Sequence, residues 1–222
     1  VALSALWVLL DENIYAKDAR AHFAAGNSRR ATPQTTDGFV LDAVEIGEGS
    51  QAVKADTVVS DTRMQVRLPE AVKAKGGQIK LHIRYHYTVP KGSSGRTGHD
   101  ATKNGEIFDI AQWYPRMAVF DDLRGWDTLP YMASEFYLEY GDFDYAVTVP
   151  WDYLIAGSGE LVNPQEVLTK TQQDRLAQAR QSDKTVMIRT AAEINDPNSR
   201  PVQSGTLTWR FHMPSTRDVA FS

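Results

Sequence analysis

The stretch I-K-L-H-I-R-Y-H-Y-T-V, Ile79 to Val89, decides the class of fold. Ile79, Leu81, Ile83, Tyr85, Tyr87 and Val89 fall on one side of an extended chain, and Lys80, His82, Arg84, His86 and Thr88 on the other. Successive side chains of a strand point to opposite faces, so this period of two predicts an antiparallel strand with one dry and one wet side. The alternation recurs in Phe143, Tyr145, Val147 and Val149 against Asp144, Ala146 and Thr148. It returns in Leu207, Trp209, Phe211 and Met213 against Thr208, Arg210 and His212. Turn formers separate these runs, which predicts a mainly β, antiparallel architecture.

Upstream of that stretch, Val40–Ile46 and Val53–Val59 read as strands around the turn Gly47–Ser50. Met64, Val66 and Leu68 alternate with Arg63, Gln65 and Arg67, and Pro69 is expected to end that strand. The opening V-A-L-S-A-L-W-V-L-L is too short to span a bilayer and has no basic flank, so a buried strand is expected. Such a strand at the first residue predicts further sheet partners upstream, in a longer protein. From Asn13 to Gly38 the chain is polar and small, an excursion with one helical turn expected around Lys17–Ala25. Downstream, Asn163-Pro164-Gln165-Glu166 has the order of an N-cap, a first-turn proline and an acidic third position, and Thr171 is a second cap candidate. The run Gln172–Gln181 is rich in helix formers but has little to bury besides Leu176, so one surface helical insertion is expected. Asn195–Asn198 is a turn cluster.

The 222 residues suffice for one large or two small domains. A net charge of -4 with scattered Lys and Arg supplies no basic stripe, which argues against a nucleic-acid partner. Zero cysteine rules out a disulfide framework, a thiolate metal site and a cysteine nucleophile, and leaves the compartment open, export included.

The densest chemistry lies in Q-W-Y-P-R-M-A-V-F-D-D-L-R-G-W-D, Gln112 to Asp127. It is too aromatic for a plain loop and too charged for a plain core strand, which suits the lining of a cleft. The simpler alternative is a twisted strand and corner that closes one end of a sheet. Other sites fall away. His82 and His86 sit in a strand and lack the Glu of a zinc-peptidase helix, so a solvated face is expected. The glycine-rich Lys91–Gly98 lacks a G-K-[ST] ending, and G-S-G at Gly157–Gly159 is not a nucleophile elbow. Asp121, Asp122, Glu135, Glu139, Asp142 and Asp144 could in principle contain a glycosidase pair, but nothing in the sequence fixes their separation, and most are expected to end strands and cap turns. From these residues alone the chain reads as a β-rich, non-catalytic module.

The Gln112–Asp127 stretch, with E-F-Y-L-E-Y-G-D-F-D at Glu135–Asp144 and V-T-V-P at Val147–Pro150, resembles the N-terminal domain of the aminopeptidase N family, the zinc-dependent gluzincin peptidases. L-W-V-L-L-D-E-N-I-Y at Leu6–Tyr15, R-T-G at Arg96–Gly98, A-G-S-G-E-L at Ala156–Leu161 and R-D-V-A-F at Arg217–Phe221 are similar to the bacterial branch. The resemblance extends over nearly all of residues 1–222 and implies one saddle-like, antiparallel β-sandwich domain with a helical insertion. It implies a thermolysin-like catalytic domain further on, which would carry zinc, the H-E-x-x-H helix and a downstream Glu; this segment holds no cofactor of its own. In the family, a Q-x-E or Q-x-Q segment of this domain helps hold the substrate's free amino group. Gln112 matches the first position, whereas Tyr114 stands where the family has an acid or amide, with Asp121 or Asp122 as candidate replacements from the next corner. The implied partners are a peptide substrate and the parent's own catalytic domain, with no membrane segment in this chain. The alternatives are a scaffold or peptide-binding module, or a carbohydrate-binding one stacking sugars on Trp113, Trp126 and Trp151.

Overall fold

The computed structural model describes residues 1–23, 34–92, 96–132 and 134–222. The described chain is mainly β, its strand ladders are antiparallel, and a short helical segment is inserted among them. It divides into two compact units, Val1–Asp100 with Phe108–Glu139, and Ala101–Ile107 with Tyr140–Ser222. Among the described residues, no helix is long and apolar enough to cross a membrane.

Among the described residues, eleven strands precede residue 140: β1 (Leu3–Leu9), β2 (Val40–Ile46), β3 (Val53–Lys54), β4 (Asp56–Ser60), β5 (Arg63–Val72), β6 (Leu81–His86), β7 (Gly98–Thr102), β8 (Gly105–Asp109), β9 (Arg116–Met117), β10 (Phe120–Asp121) and β11 (Gly125–Trp126). In the first unit they build sheets ordered β4-β5-β1-β9 and β3-β2-β6, with β10 and β11 paired as a small hairpin. Leu6 and Val8 of β1, Val44 and Ile46 of β2, and Met64 and Val66 of β5 meet in one buried cluster. Each such side chain contributes about 1.5–3 kcal/mol by leaving water, which makes this shared core the main force joining the two sheets. The apolar face of the Ile79–Val89 stretch also packs there.

The strand in that stretch is shorter than its alternation, running only from Leu81 to His86. Among the described residues its one ladder partner is β2, whose ends Ile46 and Val40 pair with Leu81 and His86, so the hydrogen bonds stop where β2 stops. Val53–Val59 also departs from expectation, dividing at Ala55 into β3, which joins β2, and β4, which joins β5. The Ala55 N–H donates to the Val44 carbonyl at 2.9 Å, so this buried residue hands the chain from one sheet to the other. Pro69 does not end β5, which continues to Val72. Ala5 pairs with Arg67 but Leu3 with Val72, an irregularity that leaves Pro69 without a ladder position and its missing N–H without cost. Of the helical turn expected around Lys17–Ala25, Arg20–Phe23 is a 3-10 turn, and residues 24 and 25 lie outside the described ones.

The second unit holds β12 (Gly141–Pro150), β13 (Glu160–Leu161), α1 (Pro164–Val167), α2 (Lys170–Ala179) and β14 (Thr206–Thr216). Its sheet is ordered β12-β14-β13. The two alternating runs face each other residue for residue: Phe143 with Met213, Tyr145 with Phe211, Val147 with Trp209 and Val149 with Leu207. Their apolar side packs on Ile155, Val167 and Leu168. Gly157 sits under the stacked Tyr145 and Phe211 rings, where a Cβ would come within 2.5 Å of the Tyr145 hydroxyl. Thr169, not Thr171, caps α2, in a reciprocal capping box with Gln172. Gln172 is the buried residue of that otherwise surface-lying helix, and its amide also donates to the Ser199 carbonyl at 2.9 Å. Asn163 precedes α1 without capping it through its side chain. Its Nδ2 instead donates to Thr208 O at 2.9 Å and its Oδ1 accepts from the Arg210 N–H at 2.9 Å, which ties the helix start to β14.

Candidate functional site

The Gln112 segment lies between β8 and β9 and is held from three directions within the first unit. On its N-terminal side, the buried Thr97 hydroxyl donates to the Ala111 carbonyl and accepts the Ala111 N–H at 3.2 Å. On its C-terminal side, Arg116 donates from Nε and Nη2 to Asp11 Oδ2 at 2.8 and 2.6 Å. The Arg116 guanidinium also lies 4.2 Å from the centroid of the Phe136 ring. One residue past β9, the Ala118 N–H donates to the Trp7 carbonyl at 2.9 Å. Thus R-T-G, L-W-V-L-L-D and Q-W-Y-P-R, far apart in sequence, converge on one place.

Gln112 itself is 5% exposed and adopts φ 53°. That left-handed backbone costs a non-glycine residue on the order of 1 kcal/mol, and strain of this kind persists only where the surroundings impose it. Trp113 and Tyr114 follow as a T-shaped pair with centroids 5.1 Å apart, both half-buried. Pro115 then leads into Arg116. Buried Glu12 stands beside this anchor in sequence, and its charge adds to burial in raising the Tyr87 hydroxyl pKa well above its ordinary value.

Asp121 is engaged differently from Gln112. Its Oδ1 accepts the Leu123 and Arg124 N–H groups at 2.9 and 2.6 Å, and its Oδ2 accepts the Tyr137 hydroxyl at 3.2 Å. The Arg124 N–H, helped by Leu123 and Tyr137, holds its carboxyl below the usual carboxylate range. Asp121 therefore shapes the β10–β11 turn, while the neighbouring Asp122 is exposed. Trp113, Trp126 and Trp151 are each half-buried, and Trp126 packs against the first unit's core and the Phe120 ring.

The histidines of β6 lie on its exposed face, His82 Nδ1 3.2 Å from Glu45 and His86 Nδ1 3.2 Å from Asp42. No group of three or more His, Asp or Glu is placed to hold a metal ion among the described residues. Sequence reasoning missed the Asp11–Arg116 pair, because 105 residues separate the partners and neither segment by itself says that its charge meets the other's. It also missed Thr97, whose only signal was its place in R-T-G.

Two of the cavities among the described residues of the second unit are large enough for a small molecule. One of about 860 Å³ lies among Leu161, Leu168, Leu176 and Trp209, with the Arg180–Glu160 ion pair at 2.7 Å in its wall. The other, of about 570 Å³, is lined by Trp151, Asp152, Arg189 and Arg200 together with the tip of the β7–β8 hairpin. Neither a family model, nor a curated protein, nor a solved structure matches this chain, so what its sites can do rests on their own residues.

Proposed function

We propose that this chain is a non-catalytic N-terminal part of a zinc metallopeptidase of the aminopeptidase type, and that Gln112 and Tyr114 line its substrate cleft. The observation that carries the reading is Gln112, a buried amide in left-handed backbone fixed between the Thr97 clamp and the Asp11–Arg116 pair. A strained, polar, tightly held residue is the mark of a group whose direction matters more than its stability. The family-like segments supply the chemistry. A glutamine oxygen accepts a hydrogen bond from a peptide's ammonium group, and Tyr114 adds a phenol where a carboxylate would have added charge. The amino-terminal contact in this protein is correspondingly weaker in electrostatics and more aromatic. Zinc and the general base belong to a catalytic domain further along the polypeptide, where the metal would polarise the scissile carbonyl and activate water.

The test uses the longer polypeptide. It should contain H-E-x-x-H and a later Glu ligand, and hydrolyse aminoacyl anilides. Gln112→Ala should raise KM for free-amino substrates about tenfold, the worth of one hydrogen bond to a charged group, and leave N-acetylated substrates unaffected. Absence of the zinc motif would defeat the peptidase reading and favour a scaffold role. A present motif with no effect of Gln112→Ala would defeat only the assignment of the site.

A further inference from the structure

The smaller cavity of the second unit contains a charge arrangement that the packing of the fold does not require. Arg200 is 5% exposed, and its nearest acceptors are neutral carbonyls. Nε and Nη2 each reach Asp152 O at 3.3 Å, and Nη1 reaches Ser199 O at 3.4 Å. These are long contacts for a guanidinium, whose charge-assisted bonds are usually near 2.7–2.9 Å. Arg200 forms no salt bridge among the described residues, although the charge of the Asp152 carboxylate acts on it from beyond salt-bridge distance. A second guanidinium, Arg189, lines the same cavity and is steered by the Glu193 carbonyl, which accepts from its Nε and Nη2 at 3.3 and 3.1 Å. Burial, and then the charge of Arg189, brings the Arg200 pKa down to about 10. Placing two cations together at one dry wall is costly unless an anion joins them.

The rest of the lining says which anion. Asp152, Glu106 and Asp196 belong to the same walls, and Asp196 uses Oδ1 to accept the Asn198 N–H at 2.9 Å. A compact dianion such as phosphate would face three carboxylates there, whereas a molecule with one negative and one positive end matches both signs. A volume of about 570 Å³ falls within the range of small-molecule pockets and exceeds the need of an inorganic ion. Trp151, Ile107 and Ile194 supply an apolar side for an organic body. We propose that this cavity binds a free α-amino acid with an aromatic or large apolar side chain. Its carboxylate is held by Arg189 and Arg200, its ammonium faces the carboxylate side of the lining, and its side chain lies on Trp151.

Titration of the intact chain with L-phenylalanine, followed by calorimetry and tryptophan fluorescence, tests this. Saturable one-to-one binding is expected. L-Phenylalaninamide, which lacks the carboxylate, and 3-phenylpropionate, which lacks the ammonium, should each bind at least about tenfold more weakly, the worth of one charge-assisted bond. Alanyl-phenylalanine, whose ammonium lies one residue away, should also bind more weakly, and inorganic phosphate should not compete. Arg200→Met removes the buried cation but carries a risk of unfolding, so half-buried Arg189→Gln is the second variant; it should keep the parent's melting temperature and lose about tenfold in affinity. The proposal is overturned if L-phenylalanine shows no saturable binding, if the amide, the phenylpropionate or the dipeptide binds as tightly, or if phosphate displaces it. It is equally overturned if folded Arg189→Gln binds like the parent.

Discussion

Arg116 and Asp11, 105 residues apart and each with a side chain only 2% exposed, form a forked ion pair in which Nε and Nη2 share Oδ2 at 2.8 and 2.6 Å. The pair ties the end of the β1 segment to β9, and so fixes the C-terminal flank of the Gln112 segment. The price of such burial is high, and removing one partner strands the other's charge. Arg116→Ala or Asp11→Ala should each lose about 3–5 kcal/mol in denaturant unfolding, while the double change Arg116→Met with Asp11→Leu should lose distinctly less. A double loss equal to the sum of the two single losses would show that the charges act independently.

Gln112 separates backbone strain from side-chain role. Gly relieves the left-handed backbone and Ala does not, so Gln112→Gly should be more stable than Gln112→Ala by about 1 kcal/mol. Both delete the amide, so both should impair peptide binding by the longer polypeptide equally. A Gly variant no more stable than the Ala variant would mean that the φ 53° conformation is not imposed on the folded chain.

The cap of α2 lies at Thr169, whose side chain accepts the Gln172 N–H at 3.4 Å while Gln172 Oε1 accepts the Thr169 N–H at 3.2 Å. Thr169→Ala should cost about 1 kcal/mol in thermal unfolding. Thr171→Ala, at an exposed position inside the helix, should change stability by no more than about 0.5 kcal/mol.

Glu193 gives the second unit an acid-sensitive point. The Thr190 N–H and hydroxyl, followed by Arg175, bring its pKa from 4.5 down to about 2. Because the folded value is depressed, its stabilising effect is complete above pH 4.5 and is lost as pH falls toward about 2. The parent should therefore be more stable than Glu193→Gln at neutral pH, and the two should converge in acid. An unfolding difference that stays constant from pH 6 to about 2.5 would contradict this assignment.

Local chemistry in the sequence determined which residues face a core. The alternation of Ile79–Val89, Phe143–Val149 and Leu207–Met213 survives residue by residue, because the side-chain direction of a strand depends only on backbone geometry. The polar face of His82 and His86 was legible for the same reason, and the surface helix from its run of helix formers with little to bury. Boundaries were not. Pro69 reads as a stop until a ladder irregularity removes the need for its N–H, and Ala55 reads as mid-strand until two sheets compete for its neighbours. Thr171 is the cap expected from the sequence, and the reciprocal bond of Thr169 with Gln172 moves the helix start two residues earlier.

The candidate site shows the same division. Gln112 to Asp127 stands out by its mixture of aromatic and charged residues, which is a property of composition. That Asp121 is occupied in its own turn, that Gln112 is buried in left-handed backbone, and that Thr97, Asp11 and Arg116 surround it are decided by tertiary structure. The cavity between Arg189 and Arg200 belongs there too, since nothing in two separate arginines announces a shared wall. Burial and long-range pairing are collective properties of the folded chain, set by which distant segments exclude water from one another, and no single stretch contains them.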